Sequence, residues 1–161
     1  MMKTNDLDHA LATAFPLLTI DRAMIDEPTA NWSVYDDVND LSAFEGKSWI
    51  TLPPPLLVQH STLPIYAGDA LFRATFPAYL RYLLHERSHF NDLPFQLAGQ
   101  LTRKVDPASH AKFDRRVAPL TQAQREATRD ALAMLSTVPP MEEAMSIAHA
   151  TWNLLCRYAP A

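Results

Sequence analysis

Residues 68–90 read GDALFRATFPAYLRYLLHERSHF, and the fold of the chain turns on how this stretch is read. Phe76, Tyr79, Leu80, Leu83 and Leu84 fall at i, i+3, i+4, i+7 and i+8, which puts all five on one side of a helix. A stripe of that width faces a core. Pro77 has no amide proton to donate, so the expectation is a break: a short helix over 69–75, then a second helix from Phe76 capped by Thr75.

The far end of the stretch spells His85-Glu86-x-x-His89, one turn between the histidines and a carboxylate where a zinc protease keeps its base. On the helical wheel both rings lie opposite the leucine-tyrosine stripe and face water. A catalytic zinc needs a third protein ligand, and the extended protease motif would place Gly at 92 and His at 95, where this chain has Asp92 and Phe95. Glu126, Glu142 and Glu143 are distant substitutes, each better explained by the favourable field at a helix start. The helix is expected to end near Arg87, since a further turn would carry that arginine onto the apolar side. The expectation is therefore two solvated histidines and no metal or other cofactor. A zinc hydrolase with His85 and His89 as ligands and Glu86 as base is the alternative.

Outside this stretch the chain reads as one helical domain over 1–161. Its 161 residues are enough for one sizeable core. Hydrophobic residues make up 48% and charged residues 20%, an ordinary globular balance. Three glycines against thirteen prolines argue against hairpin-rich sheets, and neither a dinucleotide fingerprint nor a phosphate loop can be written from Gly46, Gly68 and Gly99. Cys156 is the one cysteine, which excludes an intrachain disulfide and a cysteine zinc cluster. It sits two turns from His149, too far for a catalytic pair. No signal-peptide pattern and no apolar run of spanning length occurs, so a reducing, cytoplasmic location without membrane contact is expected.

Further helices follow from periodicity and caps. Residues 5–15 carry Leu7, Ala10, Leu11, Ala14 and Phe15 on one face, with Thr4 or Asn5 as cap. A short piece covers 21–25. Asp36 or Asp37 is expected to cap a helix bearing Val38, Leu41 and Phe44, closed by a left-handed Gly46. Trp32 and Trp49 read as anchors of the irregular connections. Pro53-Pro54-Pro55 opens a short helix, and Asp92 caps another that carries Leu93, Leu97 and Leu101.

The segment 101–119, LTRKVDPASHAKFDRRVAP, reads as a long loop. Its Arg103, Lys104, Lys112, Arg115 and Arg116 form a basic cluster around Phe113, but Asp106 and Asp114 interrupt it, which argues against nucleic acid. Thr121-x-x-Gln124 is a capping box that starts a helix to about 138. After Pro139-Pro140, a last helix carries two apolar strips: Met141, Met145, Ala148 and Trp152, then Ile147, Leu154 and Tyr158. Two strips suggest a helix packed between neighbours. The sum is an all-α, single-domain bundle of six to eight helices with proline-rich connections, the helices from 76, 121 and 141 forming its central layer.

The string Phe76-Pro77-Ala78-Tyr79-Leu80, with Gly46-Lys47-Ser48-Trp49 upstream and Leu120-Thr121-Gln122-Ala123-Gln124 downstream, resembles an uncharacterised family of small bacterial proteins. The resemblance spans roughly residues 40–136. It implies a bacterial, helical, single-domain protein and carries no catalytic set; the His-Glu-x-x-His string is outside its pattern.

Charge is unevenly placed. Residues 1–48 hold nine acids against three bases, and residues 70–161 hold eight acids against eleven bases. Asp26, Glu27, Asp36, Asp37, Asp40 and Glu45 make an acidic face complementary to a basic partner. Solvated helix faces without a partner are the plainer account of the same residues. With no credible catalytic constellation, the functional expectation is a non-catalytic protein binder. An immunity protein that occludes a basic toxin such as a nuclease is the specific form of it.

Overall fold

The computed structural model describes residues 2–27, 40–86 and 91–158. In chain order these form α1 (Thr4–Ala14), α2 (Arg22–Ile25), a 3₁₀ turn (Ser42–Phe44), α3 (Pro54–Gln59), α4 (Leu63–Tyr66), α5 (Asp69–His85), α6 (Leu93–Gln100), α7 (Pro107–Val117), α8 (Gln122–Leu135) and α9 (Glu142–Tyr158). The fold is all-α, with no strand among the described residues. Among the described residues there are nine helices against the expected six to eight, because two are single turns and because α7 occupies the segment read as a loop.

Helix α5 is the hub: it packs against α1, α2, α3, α4, α6, α7 and α8. This explains why it is not broken at Pro77. Thr75 does not cap a new helix; its hydroxyl donates back to the Leu71 carbonyl at 2.7 Å, and the helix runs on through the proline. An interior proline costs about 3 kcal/mol. Against that, Phe72, Phe76, Tyr79, Leu80, Leu83 and Leu84 are all buried, each at roughly 1.5–3 kcal/mol. Phe72 stacks on Phe76 at 5.2 Å, Phe15 of α1 meets the edge of Phe76 at 5.3 Å, and the Tyr79 hydroxyl donates to the His60 carbonyl at 2.7 Å. Burial on every side outweighs one missing backbone bond.

The largest departure from the sequence reading is α7. Asp106 accepts from the Ser109 amide at 2.9 Å and Pro107 takes the first helical position, the usual start signal. Its buried face consists of Phe113, Arg116 and Val117. Arg116 is only 1% exposed. Its Nη1 donates to the Pro64 carbonyl at 2.9 Å and to Gln100 Oε1 at 3.0 Å, and its Nη2 donates to the Ala67 carbonyl at 2.7 Å. Nε stands 3.4 Å from Asp69 Oδ1, an ion pair without the alignment of a hydrogen bond. The guanidinium lies 4.0 Å over the Phe72 ring. Burial pushes its pKa down to about 10, with Asp69 opposing, so the side chain stays charged at neutral pH.

The capping box of α8 is formed, with Thr121 N to Gln124 Oε1 at 2.8 Å and Gln124 N to Thr121 Oγ1 at 3.2 Å. Gly46 has φ +78 and donates its amide to the Ile20 carbonyl at 2.8 Å, the left-handed turn expected of it. Two caps differ from expectation, and a third expected cap, Asp36 or Asp37, lies outside the described residues. Asp6 accepts from the Lys3 amide, so Thr4 is the first helical residue of α1. Asn91, not Asp92, accepts from the Leu93 amide, at 3.1 Å. Asp40 caps the 3₁₀ turn through the Ser42 amide at 2.9 Å, while Trp32, Asp36, Asp37 and Val38 lie outside the described residues.

Helix α9 packs on α8 and α6, and the Trp152 indole donates to the Leu101 carbonyl at 2.9 Å. It is not central: its second apolar strip, Ile147, Leu154 and Tyr158, is exposed rather than covered by a neighbour.

Two stability outcomes follow. Arg116→Ala leaves two carbonyls and Asp69 without their cation and is expected to cost about 3–5 kcal/mol in urea unfolding, with Arg116→Lys recovering a minor part because one ammonium cannot span the same acceptors. Glu27 Oε2 accepts from the Ala70 amide at 3.3 Å, and a Cβ on Gly68 would come within 2.2 Å of that oxygen. Gly68→Ala is therefore expected to expel the carboxylate from the start of α5 at a cost of about 1 kcal/mol. In a double-mutant cycle the added loss on Glu27→Gln is expected to vanish; full additivity would refute the contact.

Candidate functional site

Helix α5 stops at His85, two residues short of the expected end, and the Glu86 amide closes it on the Tyr82 carbonyl at 2.8 Å. Asp8 of α1 reaches across to this last turn. Its Oδ1 accepts from Arg81 Nε at 2.7 Å, and its Oδ2 stands 3.2 Å from His85 Nε2. One carboxylate thus bridges two residues a turn apart. Burial raises the Asp8 pKa, but the bonds and charges of Arg81 and His85 outweigh it and hold the carboxyl below the ordinary aspartate range.

His85 and Glu86 lie on the wall of a cleft of about 430 Å³ between this helix end and residues 49–54, with Trp49, Leu52, Leu57 and Tyr82 as apolar lining. The His85 ring does not simply face water, as its position on the wheel implied; its Nε2 is turned to Asp8. His89 lies outside the described residues. Among the described residues no three His, Cys, Asp or Glu side chains are grouped to hold a metal. Glu126 accepts from Gln122 Nε2 at 2.8 Å, and Glu142 and Glu143 sit exposed in the first turn of α9.

The acidic residues divide into two kinds. Asp26 and Glu45 converge on Arg22, which pairs with Glu45 and stands 3.8 Å from Asp26. Glu45 first, then Asp26 and Asp40, raise the Arg22 pKa, so all three act on one guanidinium. The Ser42 amide and hydroxyl hold the Asp40 carboxyl below its usual range. Asp21 caps α2 through the Met24 amide at 2.8 Å. Glu27 is of the other kind, turned inward to cap α5. Asp36 and Asp37 lie outside the described residues.

The basic cluster is largely spent inside the fold. Arg103 pairs with Asp114 at 3.1 Å and Arg115 with Asp69 at 3.0 Å. Arg116 is buried, and Lys112 donates to the Ile65 carbonyl at 2.6 Å. No continuous basic strip is left on α7. On α9, burial raises the Cys156 thiol pKa and lowers that of His149, the opposite of an activated pair.

No protein-family model, curated protein or solved structure matches the chain.

The Asp8 bridge has a pH signature. A carboxyl whose folded pKa is depressed contributes stability above its unfolded pKa of about 3.9, and that contribution is lost as pH falls through the folded value. Asp8→Asn is expected to lower stability by roughly 1 kcal/mol at pH 7, with the gap to the parent protein closing below about pH 4. Urea unfolding at both pH values checks this; a gap that persists in acid would mean the loss is one of packing.

Proposed function

We propose that the protein is a non-catalytic binder of a basic protein, of the immunity type, and that it covers its target with the exposed acids around Arg22. The observation that carries this reading is the convergence of Asp26, at the end of α2, and of Asp40 and Glu45, which flank the 3₁₀ turn, on a single guanidinium. The group holds three acids against one base. An acid excess gathered in one place sets up a local potential that scattered surface acids do not, and it speeds the approach of a cationic partner. The pairing of the basic cluster within the fold supports a protein target over a nucleic acid. A cytoplasmic location goes with the reading: Cys156 is unpaired, and no described helix is long and apolar enough to cross a membrane.

The test is affinity capture from the native host at about 50 mM and at about 300 mM salt, where screening shortens the reach of charge from roughly 14 Å to 6 Å. One stoichiometric basic protein is expected at low salt and less of it at high salt. Asp26→Lys with Glu45→Lys is expected to slow association at least about tenfold. Both positions are exposed, so the fold is expected to stand within about 0.5 kcal/mol. Failure to recover a stoichiometric partner at either salt, or capture indifferent to the charge reversal, would refute the proposal.

A further inference from the structure

Between the end of α6 and α7 lies a pocket of about 50 Å³, bordered by Gly99, Gln100, Lys104, Ser109, Lys112 and Arg116. Three of these residues are cations and none is an acid. The neighbouring acids are engaged elsewhere: Asp69 with Arg115 and Arg116, Asp106 with the Ser109 amide, and Asp114 with Arg103. Among the described residues, Lys104 has no carboxylate within ion-pair distance.

Unspent donors converge on the pocket. Gln100 Oε1 accepts from Arg116 Nη1, which fixes the amide so that its NH₂ group remains to donate. Lys112 gives one proton to the Ile65 carbonyl and keeps two. Ser109, which carries a hydroxyl, and Lys104, which carries an ammonium, also line the pocket. Arg116 lines it as well, and its guanidinium, 1% exposed and fixed by three hydrogen bonds, supplies a positive charge that cannot move away. The volume holds a few waters or one tetrahedral oxyanion.

The electrostatics show the same want of an anion. The Lys112 pKa is pushed down to about 8, by burial first and then by Arg116, Lys104 and Arg115, with Asp69 alone opposing. Its ammonium is poorly stabilised as it stands, and a bound anion would reverse the deficit.

We propose that this pocket binds a phosphate-sized oxyanion, either inorganic phosphate or the phosphoryl end of a phosphomonoester. Lys104, Lys112, Ser109 and the Gln100 amide are its donors, held beside the fixed charge of Arg116. Charge-assisted bonds from two ammonium groups and neutral donors are the means by which proteins hold such groups. The small volume admits the phosphoryl head and leaves the remainder of a larger molecule outside. This site is separate from the acidic patch, and its fate does not bear on that reading.

The experiment is calorimetric titration and thermal unfolding of the full chain with sodium phosphate, methyl phosphate and sodium chloride at matched ionic strength. Saturable heat and a rising Tm are expected with phosphate and not with chloride. Methyl phosphate binding as tightly as phosphate identifies the monoester as the source; a preference of tenfold or more for phosphate identifies the free ion. Lys104→Ala removes an exposed donor and is expected to weaken binding about tenfold. Gly99→Leu plants a side chain at the edge, where a Cβ has no atom within 4 Å, and is expected to abolish binding while the helix persists. No saturable heat, a Tm rise that chloride reproduces, or affinity unchanged in both variants would overturn the proposal.

Discussion

A buried guanidinium holds four helices in register. The carbonyls that Arg116 engages, those of Pro64 and Ala67, belong to α4 and its cap, the end of a helix where orphan acceptors gather and where a cation is favoured. Lys112, one turn earlier on α7, takes the Ile65 carbonyl between them. Helix α4 has a single turn and cannot be stable by itself. It persists because α7 satisfies its end from outside. The same guanidinium reaches Asp69 in the first turn of α5 and Gln100 at the end of α6, so the hub helix and both its neighbours are tied to one charge. A lysine would offer one point charge to acceptors that lie in several directions, whereas the planar fork meets them together.

This also explains which parts of the fold could be read in advance. Where a local signal and the tertiary environment agree, the residues spelled out the result: the Thr121–Gln124 capping box, the left-handed Gly46, the stripe on α5, and α9 after its paired prolines. Helix α7 was hidden because its core-facing position is an arginine, and periodicity counts arginine as solvent-facing. The Asp106-Pro107 start was in plain view, but without an apolar stripe behind it the segment looked like a loop. Pro77 misled in the opposite direction. The local rule for proline is sound, but burial against seven helices is worth several times the cost it describes.

The candidate sites were legible in composition and illegible in direction. An excess of acids over residues 1–48 is a count, and a count does not say that Glu27 turns inward to the start of α5 while Asp26 beside it faces solvent toward Arg22. Likewise the wheel placed His85 opposite the stripe, but the residue it meets there, Asp8, comes from the far end of the chain. Spacing within a helix fixes which side a residue takes and is silent about which other helix arrives on that side. The pocket at Lys104 and Lys112 was beyond reach for the same reason, since Gln100 and Gly99 join it from a different helix.

Charge in this molecule therefore falls into two populations, and only one of them is available to other molecules. Asp8, Glu27, Asp69, Asp106 and Arg116 are consumed in bridging or capping helices, and Arg103, Arg115 and Asp114 in surface pairs. Subtracting them narrows the contrast between an acidic front and a basic back without removing it. The surplus left on the front is the group of acids around Arg22, which one guanidinium does not neutralise. On the back it is the pair Lys104 and Lys112 beside Arg116, of which Lys112 sits where burial and the neighbouring cations disfavour its charge. A net charge of −4 spread evenly over such a surface would steer little. Concentrated in two places of opposite sign, on elements whose other charges are locked into the fold, the same number gives the surface two separate chemical preferences.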